Sequence, residues 1–205
     1  MDKSQIWPTI HVERQALADD LSAISEANWS TPSLCDGWCV RDVLAHMTGT
    51  AQMSALTFFP KLVSSGFSLS KAQQKDIARV EKGDTFAAFK SIVNSSSAPP
   101  GPTLTWLGET IVHGEDIRRP LGITHDYPAD AVIAVADSYK GSNLVIGAKK
   151  RIAGVNLRAT DTDWSHGDGP EVSGPMIALL MVIAGRPAAL SDLSGDGVAT
   201  LQSRM

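Results

Sequence analysis

The sequence contains only two cysteines, Cys35 and Cys39, too few for a secreted scaffold held together by disulfides. It has no excess of positive charge, since the net charge is −4, and no basic stripe with interleaved aromatic residues, so we expect no nucleic-acid partner. The longest apolar run, residues 176–184, is about half as long as a segment that spans a bilayer, so we expect no membrane span. The first residues lack the charged and apolar regions of a signal peptide. These absences together predict a cytoplasmic globular protein.

The residue pattern predicts two parts with different secondary structure. Apolar residues recur at helical spacing through the first 147 residues. Beyond Gly147, Val155, Leu157 and Ala159 alternate with polar neighbours, which is typical of a strand, and a segment rich in Asp and Gly follows. We therefore predict a mainly α protein, with a helical bundle over residues 1–147 and a small α+β domain over residues 148–205.

Helix signals give approximate bounds for the elements. Apolar periodicity predicts helices over residues 8–27, 39–59, 71–81, 84–94, 103–119 and 129–145, and a buried helix over residues 176–184. We expect Pro60 to end the second of these, Asp84 to cap the fourth and Ser173 to cap the last. Cys39 occupies the N-cap position of the second helix with Asp42 three residues on, so a Ser or Thr there would complete a capping box.

The segment with the clearest chemistry runs from Glu109 to His113. A carboxylate and an imidazole four residues apart lie on one face of a helix, where both can bind one divalent metal ion. Asp116 lies on the same face and can orient His113 through its second ring nitrogen. An ordinary solvated contact between i and i+4 side chains has the same spacing, so the pair needs a further ligand elsewhere in the chain.

His46 is the candidate third ligand. It lies beside the apolar stripe of the second helix, near Val43 and Met47, and helical bundles build metal sites from such inward-facing side chains. The same position also suits a histidine that is satisfied within the core. With Glu109 and His113 it would give two imidazoles and a carboxylate, the ligand set of a catalytic zinc site with an open position.

Other reactive side chains keep several interpretations open. Cys35 and Cys39 can bind a metal, form a redox pair or simply pack in the core. His166 lies in a turn rich in Gly and Asp that can border a cleft. Arg186 follows the last long helix, where it can hold a substrate carboxylate or cap the end of that helix.

Two motifs resemble those of a known family. The segment TPSLCDGWCVRDVLAH, residues 31–46, is similar to the N-terminal signature of the mycothiol-dependent maleylpyruvate isomerase family, a branch of the DinB-like metal-binding bundles. The segment GETIVHGEDIRRPLG, residues 108–122, resembles the second signature of this family. Parts of residues 163–198 resemble the small C-terminal domain attached in this family. The departure is Cys39, at a helix start that is often Ser or Thr in such motifs.

The resemblance implies a DinB-like four-helix bundle followed by a small α+β domain. It implies a divalent metal, usually zinc, held by His46, Glu109 and His113, with mycothiol as cofactor or co-substrate. The expected function is isomerisation or thiol transfer on a small electrophilic substrate, with Asp116 supporting His113 and Arg186 holding a substrate carboxylate. The alternatives are a non-catalytic metal-binding protein of stress response or ligand binding, and a hydrolase that uses zinc-bound water. The expected partners are a small thiol and a small substrate, and a homodimer is left open.

Overall fold

The computed structural model describes residues 1–143 and 146–205, which divide into two compact units, Asp2–His125 and Asp126–Met205. Within these described ranges, no helix is both long and apolar enough to cross a membrane. The division groups the helix that begins at Ala129 with the C-terminal unit, whereas the sequence placed the limit near Gly147. The predicted domain limits of 1–147 and 148–205 stay a prediction.

The N-terminal unit is helical. Its helices are α1 (Ile6–Leu21), α2 (Val40–Ala51), α3 (Ala55–Ser64), α4 (Leu69–Val80), α5 (Thr85–Ile92) and α6 (Thr103–Arg118), with 3-10 helices at Lys3–Gln5, Glu26–Ser30 and Arg119–Leu121. Helices α1 and α2 each pack against both α5 and α6, which makes these four the bundle, while α4 packs against α2. Burial of apolar side chains along these contacts stabilises the bundle. Its main cluster includes Leu17, Leu21, Val43, Leu44, Met47, Phe89 and Ile117.

The second predicted helix is two helices in the structure. A polar turn separates α2 from α3, and there the N–H of Ser54 donates to Oγ1 of Thr57 at 2.9 Å. The prediction that Pro60 ends a helix is wrong, because Pro60 lies inside α3. Proline removes the helical donor to the carbonyl four residues earlier, which belongs to Leu56. Leu56 is 87% exposed, so water can hydrogen-bond to that carbonyl instead.

The C-terminal unit combines helices with a small sheet, as predicted. Its elements are α7 (Ala129–Lys140), α8 (Ala148–Arg151), β1 (Asn156–Ala159), β2 (Ser165–His166), β3 (Glu171–Gly174), α9 (Met176–Ile183), a 3-10 helix at Pro187–Asp192 and α10 (Val198–Gln202). Strand β1 is central, antiparallel to β2 and parallel to β3. Helix α9 packs against α7, β1 and β3, and nearly all of its residues are buried, as its apolar sequence predicts. The helix predicted over residues 129–145 ends at Lys140 in the structure, and residues 144 and 145 lie outside the described residues.

Two cap predictions have different outcomes. Asp84 caps α5 by accepting a backbone N–H of the first turn at 2.9 Å, as predicted. The prediction that Ser173 caps the helix after Pro175 is wrong, because Ser173 lies in β3. The carboxylate of Asp161 serves α9 instead, and its Oδ1 accepts the N–H of Met176 at 2.9 Å. The first turn of α9 is therefore capped by a carboxylate from an earlier loop, rather than by the side chain of Ser173.

Replacing Cys39 by serine should stabilise the N-terminal unit. Cys39 is the N-cap of α2, and the carboxylate of Asp42 already accepts its backbone N–H at 2.8 Å. A serine hydroxyl accepts a hydrogen bond from the first turn better than a thiol, so we expect the free energy of unfolding to rise by about 0.5–1 kcal/mol in urea titrations. Cys39→Ala is the matched control and should gain nothing. An equal gain in both variants would contradict a capping effect.

Candidate metal centre

Helix α6 carries the predicted pair of ligands among the helices of the bundle. It runs without interruption from Thr103 to Arg118 and packs against both α1 and α2. The carboxylate of Glu109 interacts with side chains of both of those helices, and the ring of His113 lies against a side chain of α2. These contacts argue against an ordinary solvated contact between i and i+4 side chains.

Asp116 fixes the imidazole of His113. The Nδ1 atom of His113 lies 2.9 Å from Oδ2 of Asp116, whose side chain is fully buried. Burial by itself lowers the pKa of His113, but the hydrogen bonds of Asp116 and Cys35, together with the negative charge of Asp116, outweigh it and raise the pKa to about 10. Because Nδ1 is engaged, Nε2 is the ring nitrogen left for a metal ion.

His46 lies next to His113. Helix α2 buries it to 7% exposure, and the two imidazole ring centres are 5.0 Å apart with the rings nearly perpendicular, at 86°. The indole of Trp38 also packs against His46, with ring centres 5.2 Å apart. Burial, with the charge of His113, lowers the pKa of His46 to about 3, so its ring is neutral and offers a lone pair.

Glu109 is the third member of the predicted set. Burial raises the pKa of its carboxyl, whereas the charges of His113 and Arg14 and a hydrogen bond from Thr50 lower it, and the resulting pKa is about 7. A carboxyl that titrates near neutrality exchanges its proton for a metal ion at modest cost. Glu109 therefore has the chemistry of a metal ligand.

Arg14 is a charged residue of this region that sequence reasoning missed. It is 1% exposed on α1, its Nη1 donates to the carbonyl of Ser95 at 2.9 Å, and its Nε has no hydrogen-bond partner among the described residues. Burial lowers the pKa of Arg14, and the opposite charge of Glu109 raises it. A signal was present in the sequence, because Arg14 interrupts the apolar stripe between Ile10 and Leu17, where a charge needs a partner.

A second group of metal-ligating atoms lies on the Nδ1 side of His113. The Sγ atom of Cys35 is 3.0 Å from Oδ2 of Asp116 and 3.7 Å from Nδ1 of His113. The ligand atoms of these three residues all lie within 4.8 Å of one another. Within residues 1–143 and 146–205, His46, Glu109 and His113 do not form a group with ligand atoms this close together. The structure thus brings Cys35 into a site where the sequence left its role open.

The two imidazoles of the predicted donor set have a separation that fits one divalent ion. Two imidazoles that bind one zinc ion at about 2.0–2.1 Å per nitrogen have ring centres roughly 5 Å apart. The observed separation for His46 and His113 is 5.0 Å.

Arg186 and His166 belong to the C-terminal unit. Arg186 follows α9, and its Nη1 donates to the carbonyl of Ala184 at 3.0 Å, which is the helix-capping contact that the sequence also allowed. His166 lies in β2 opposite Leu157 of β1, and burial lowers its pKa. A substrate-binding role of Arg186 stays a prediction.

Comparisons with known proteins agree with the first motif and with the fold. The family described as mycothiol maleylpyruvate isomerase N-terminal domain matches residues 10–66. A crystal structure of the mycothiol-dependent maleylpyruvate isomerase has a TM-score of 0.66 to this structure and 15% sequence identity, over 96% of this chain and 93% of that chain. A crystal structure of a histidine-to-alanine mutant of such an isomerase has a TM-score of 0.65 and 14% identity, over the same shares of the two chains. A search of curated protein sequences finds no match.

At these identities the structural likeness concerns the fold, and it confirms the predicted mainly α class with a bundle and a small α+β part. The N-terminal match covers His46 and Cys35, whereas Glu109, His113 and Asp116 lie beyond it. Residues 10–66 match the N-terminal domain of the mycothiol maleylpyruvate isomerase family, as the first motif predicted, and the chain has the fold of the solved isomerase.

Proposed function

We propose that this protein is a metal-dependent enzyme that uses mycothiol to isomerise a small electrophilic substrate such as maleylpyruvate. The observation that carries the proposal is the pair of adjacent imidazoles, buried His46 and partly exposed His113, at a separation that suits one shared ion. Glu109 lies on the same helical face as His113. In catalytic zinc sites, two imidazoles and one carboxylate leave one coordination position open. The named chemistry of the solved isomerases supports the choice of thiol and substrate.

A divalent cation bound there would lower the pKa of a thiol from its ordinary value of about 8.5, so that thiolate is available at neutral pH. The residues of the chain supply the setting for this chemistry. Asp116 holds the proton on Nδ1 of His113, so the ring presents Nε2. Trp38 packs against His46 and keeps water from part of its surface.

The reaction can be written without a redox partner. The thiolate sulfur forms a bond to one carbon of a conjugated double bond, and the π electrons move to the adjacent carbonyl oxygen. The former double bond of the substrate is now single, so the two halves of the substrate can rotate about it. The electrons then return, the carbon–sulfur bond breaks, and the trans isomer and the thiolate leave. Protonation of the adduct before this elimination would make the protein a thiol transferase instead.

Arg186 is proposed to hold a carboxylate of the substrate. A guanidinium binds a carboxylate through two parallel hydrogen bonds, which fixes orientation as well as charge. Its present contact with the carbonyl of Ala184 uses Nη1. Asp116 is proposed to act only through His113, as a positioning residue.

His46→Ala should remove both metal and activity. Loss of one of three ligands should weaken zinc binding at least about tenfold. Thiol-dependent isomerisation of maleylpyruvate should fall in parallel. Zinc content after dialysis and the rate with and without mycothiol measure these effects. Cys39→Ser is the control, since it alters a helix cap and should keep both. Full zinc occupancy in His46→Ala, or isomerisation by the wild type without thiol, would contradict the proposal.

Zinc should bind more tightly at pH 8 than at pH 6. The pKa of about 7 for Glu109 and of about 10 for His113 mean that both side chains carry protons at pH 6, which the ion must displace. Raising the pH removes the proton of Glu109 and lowers the cost of displacing that of His113, so the dissociation constant should fall at least about tenfold. Competition with a chromophoric chelator at both pH values measures it. His11→Ala, outside the cluster, should behave as wild type, whereas a dissociation constant independent of pH would contradict the protonation states.

A further inference from the structure

The loop before α2 places the thiol of Cys35 against the buried carboxylate of Asp116. The Sγ atom lies 3.0 Å from Oδ2 of Asp116, the same oxygen that is 2.9 Å from Nδ1 of His113. Two donors, a thiol and an imidazole N–H, therefore share one carboxylate oxygen. The thiol of Cys35 is not among the predicted metal ligands, and the proposed mechanism does not use it.

The backbone holds this thiol in place. The N–H of Leu34 donates to the carbonyl oxygen of Asp116 at 3.2 Å, and the N–H of Cys35 donates to the hydroxyl of Ser33 at 3.1 Å. The loop is closed on itself by the N–H of Ser33, which donates to the carbonyl of Trp38 at 2.9 Å. The contact between Cys35 and Asp116 is therefore set by the fold of the loop on α6, rather than by a freely turning side chain.

The thiol has two physically different roles open to it. As a ligand, Cys35 would bind an ion together with Asp116 and Nδ1 of His113, whose ligand atoms are all within 4.8 Å of one another. As a donor, it would stay protonated and restrain the carboxylate that orients His113. The two roles exclude each other, because Nδ1 cannot donate its proton to Asp116 and also bind a metal. The 2.9 Å contact between Nδ1 and Oδ2, and the imidazole of His46 lying 5.0 Å from the ring of His113, favour the second role.

We propose that Cys35 is a positioning residue for the metal centre, acting through Asp116 on His113. Its S–H hydrogen bond keeps Oδ2 of Asp116 directed at Nδ1 of His113, which leaves Nε2 of that ring for the ion. This inference rests on the proposed metal site of His46, Glu109 and His113. Partners that orient a metal-bound histidine commonly affect metal affinity by about 10–100-fold, so loss of the thiol donor should weaken binding within that range.

The test compares variants that keep or remove the donor. Cys35→Ser retains a hydroxyl donor and should bind zinc within about threefold of wild type, whereas Cys35→Ala and Cys35→Val lack a donor and should bind about tenfold or more weakly. Zinc affinity is measured on the full chain by competition with a chromophoric chelator. Cys39→Ala is the matched cysteine control and should keep the wild-type affinity. Urea unfolding of each metal-free variant identifies those that remain folded at the assay concentration.

Cobalt substitution separates the two roles of the thiol. Cobalt-loaded wild type and Cys35→Ser should have the same visible spectrum, without the near-ultraviolet charge-transfer band that a bound thiolate gives. Such a band in wild type and its loss in Cys35→Ser would overturn the proposal and make Cys35 a ligand. Wild-type affinity in folded Cys35→Ala and Cys35→Val would overturn it as well, while leaving the metal site intact. Failure of the wild type to bind zinc or cobalt would instead refute the proposed function itself.

Discussion

The hydrogen bond between His113 and Asp116 is the interaction on which the rest of the site depends. It engages Nδ1 of the imidazole at 2.9 Å from a carboxylate that water does not reach. Turning the ring would leave a buried anion short of a donor, which is costly in a medium of low dielectric constant. The orientation of His113 is therefore fixed by the fold. In that orientation its ring centre lies 5.0 Å from the ring centre of His46.

The residues of the cluster satisfy one another poorly. Burial opposes charge on both His46 and Glu109, while Asp116 favours charge on His113. Arg14 adds a fully buried cation next to Glu109. At neutral pH the imidazole of His46 is uncharged and the carboxyl of Glu109 is near its titration point. A divalent cation satisfies lone pairs and carboxylate together, so an arrangement that costs stability in the fold suits a binding site.

Local signals predicted the features that depend on neighbours along the chain. Asp84 caps its helix, and the spacing of three residues placed Asp116 beside His113, as found. Features that depend on distant segments could not be predicted in this way. Cys35 meets Asp116 across 81 positions of sequence, and no local pattern encodes that contact. The error at Pro60 has a related cause, because solvent around the preceding turn, rather than the residue type alone, decides whether a proline ends a helix.

Anomalous diffraction from crystals of the zinc-loaded protein, recorded at the zinc absorption edge, tests the central claim most directly. The account predicts one ion bonded to His46, Glu109 and Nε2 of His113, with Nδ1 of that ring still hydrogen-bonded to Asp116. An ion bonded to Cys35, Asp116 and Nδ1 of His113 would contradict it.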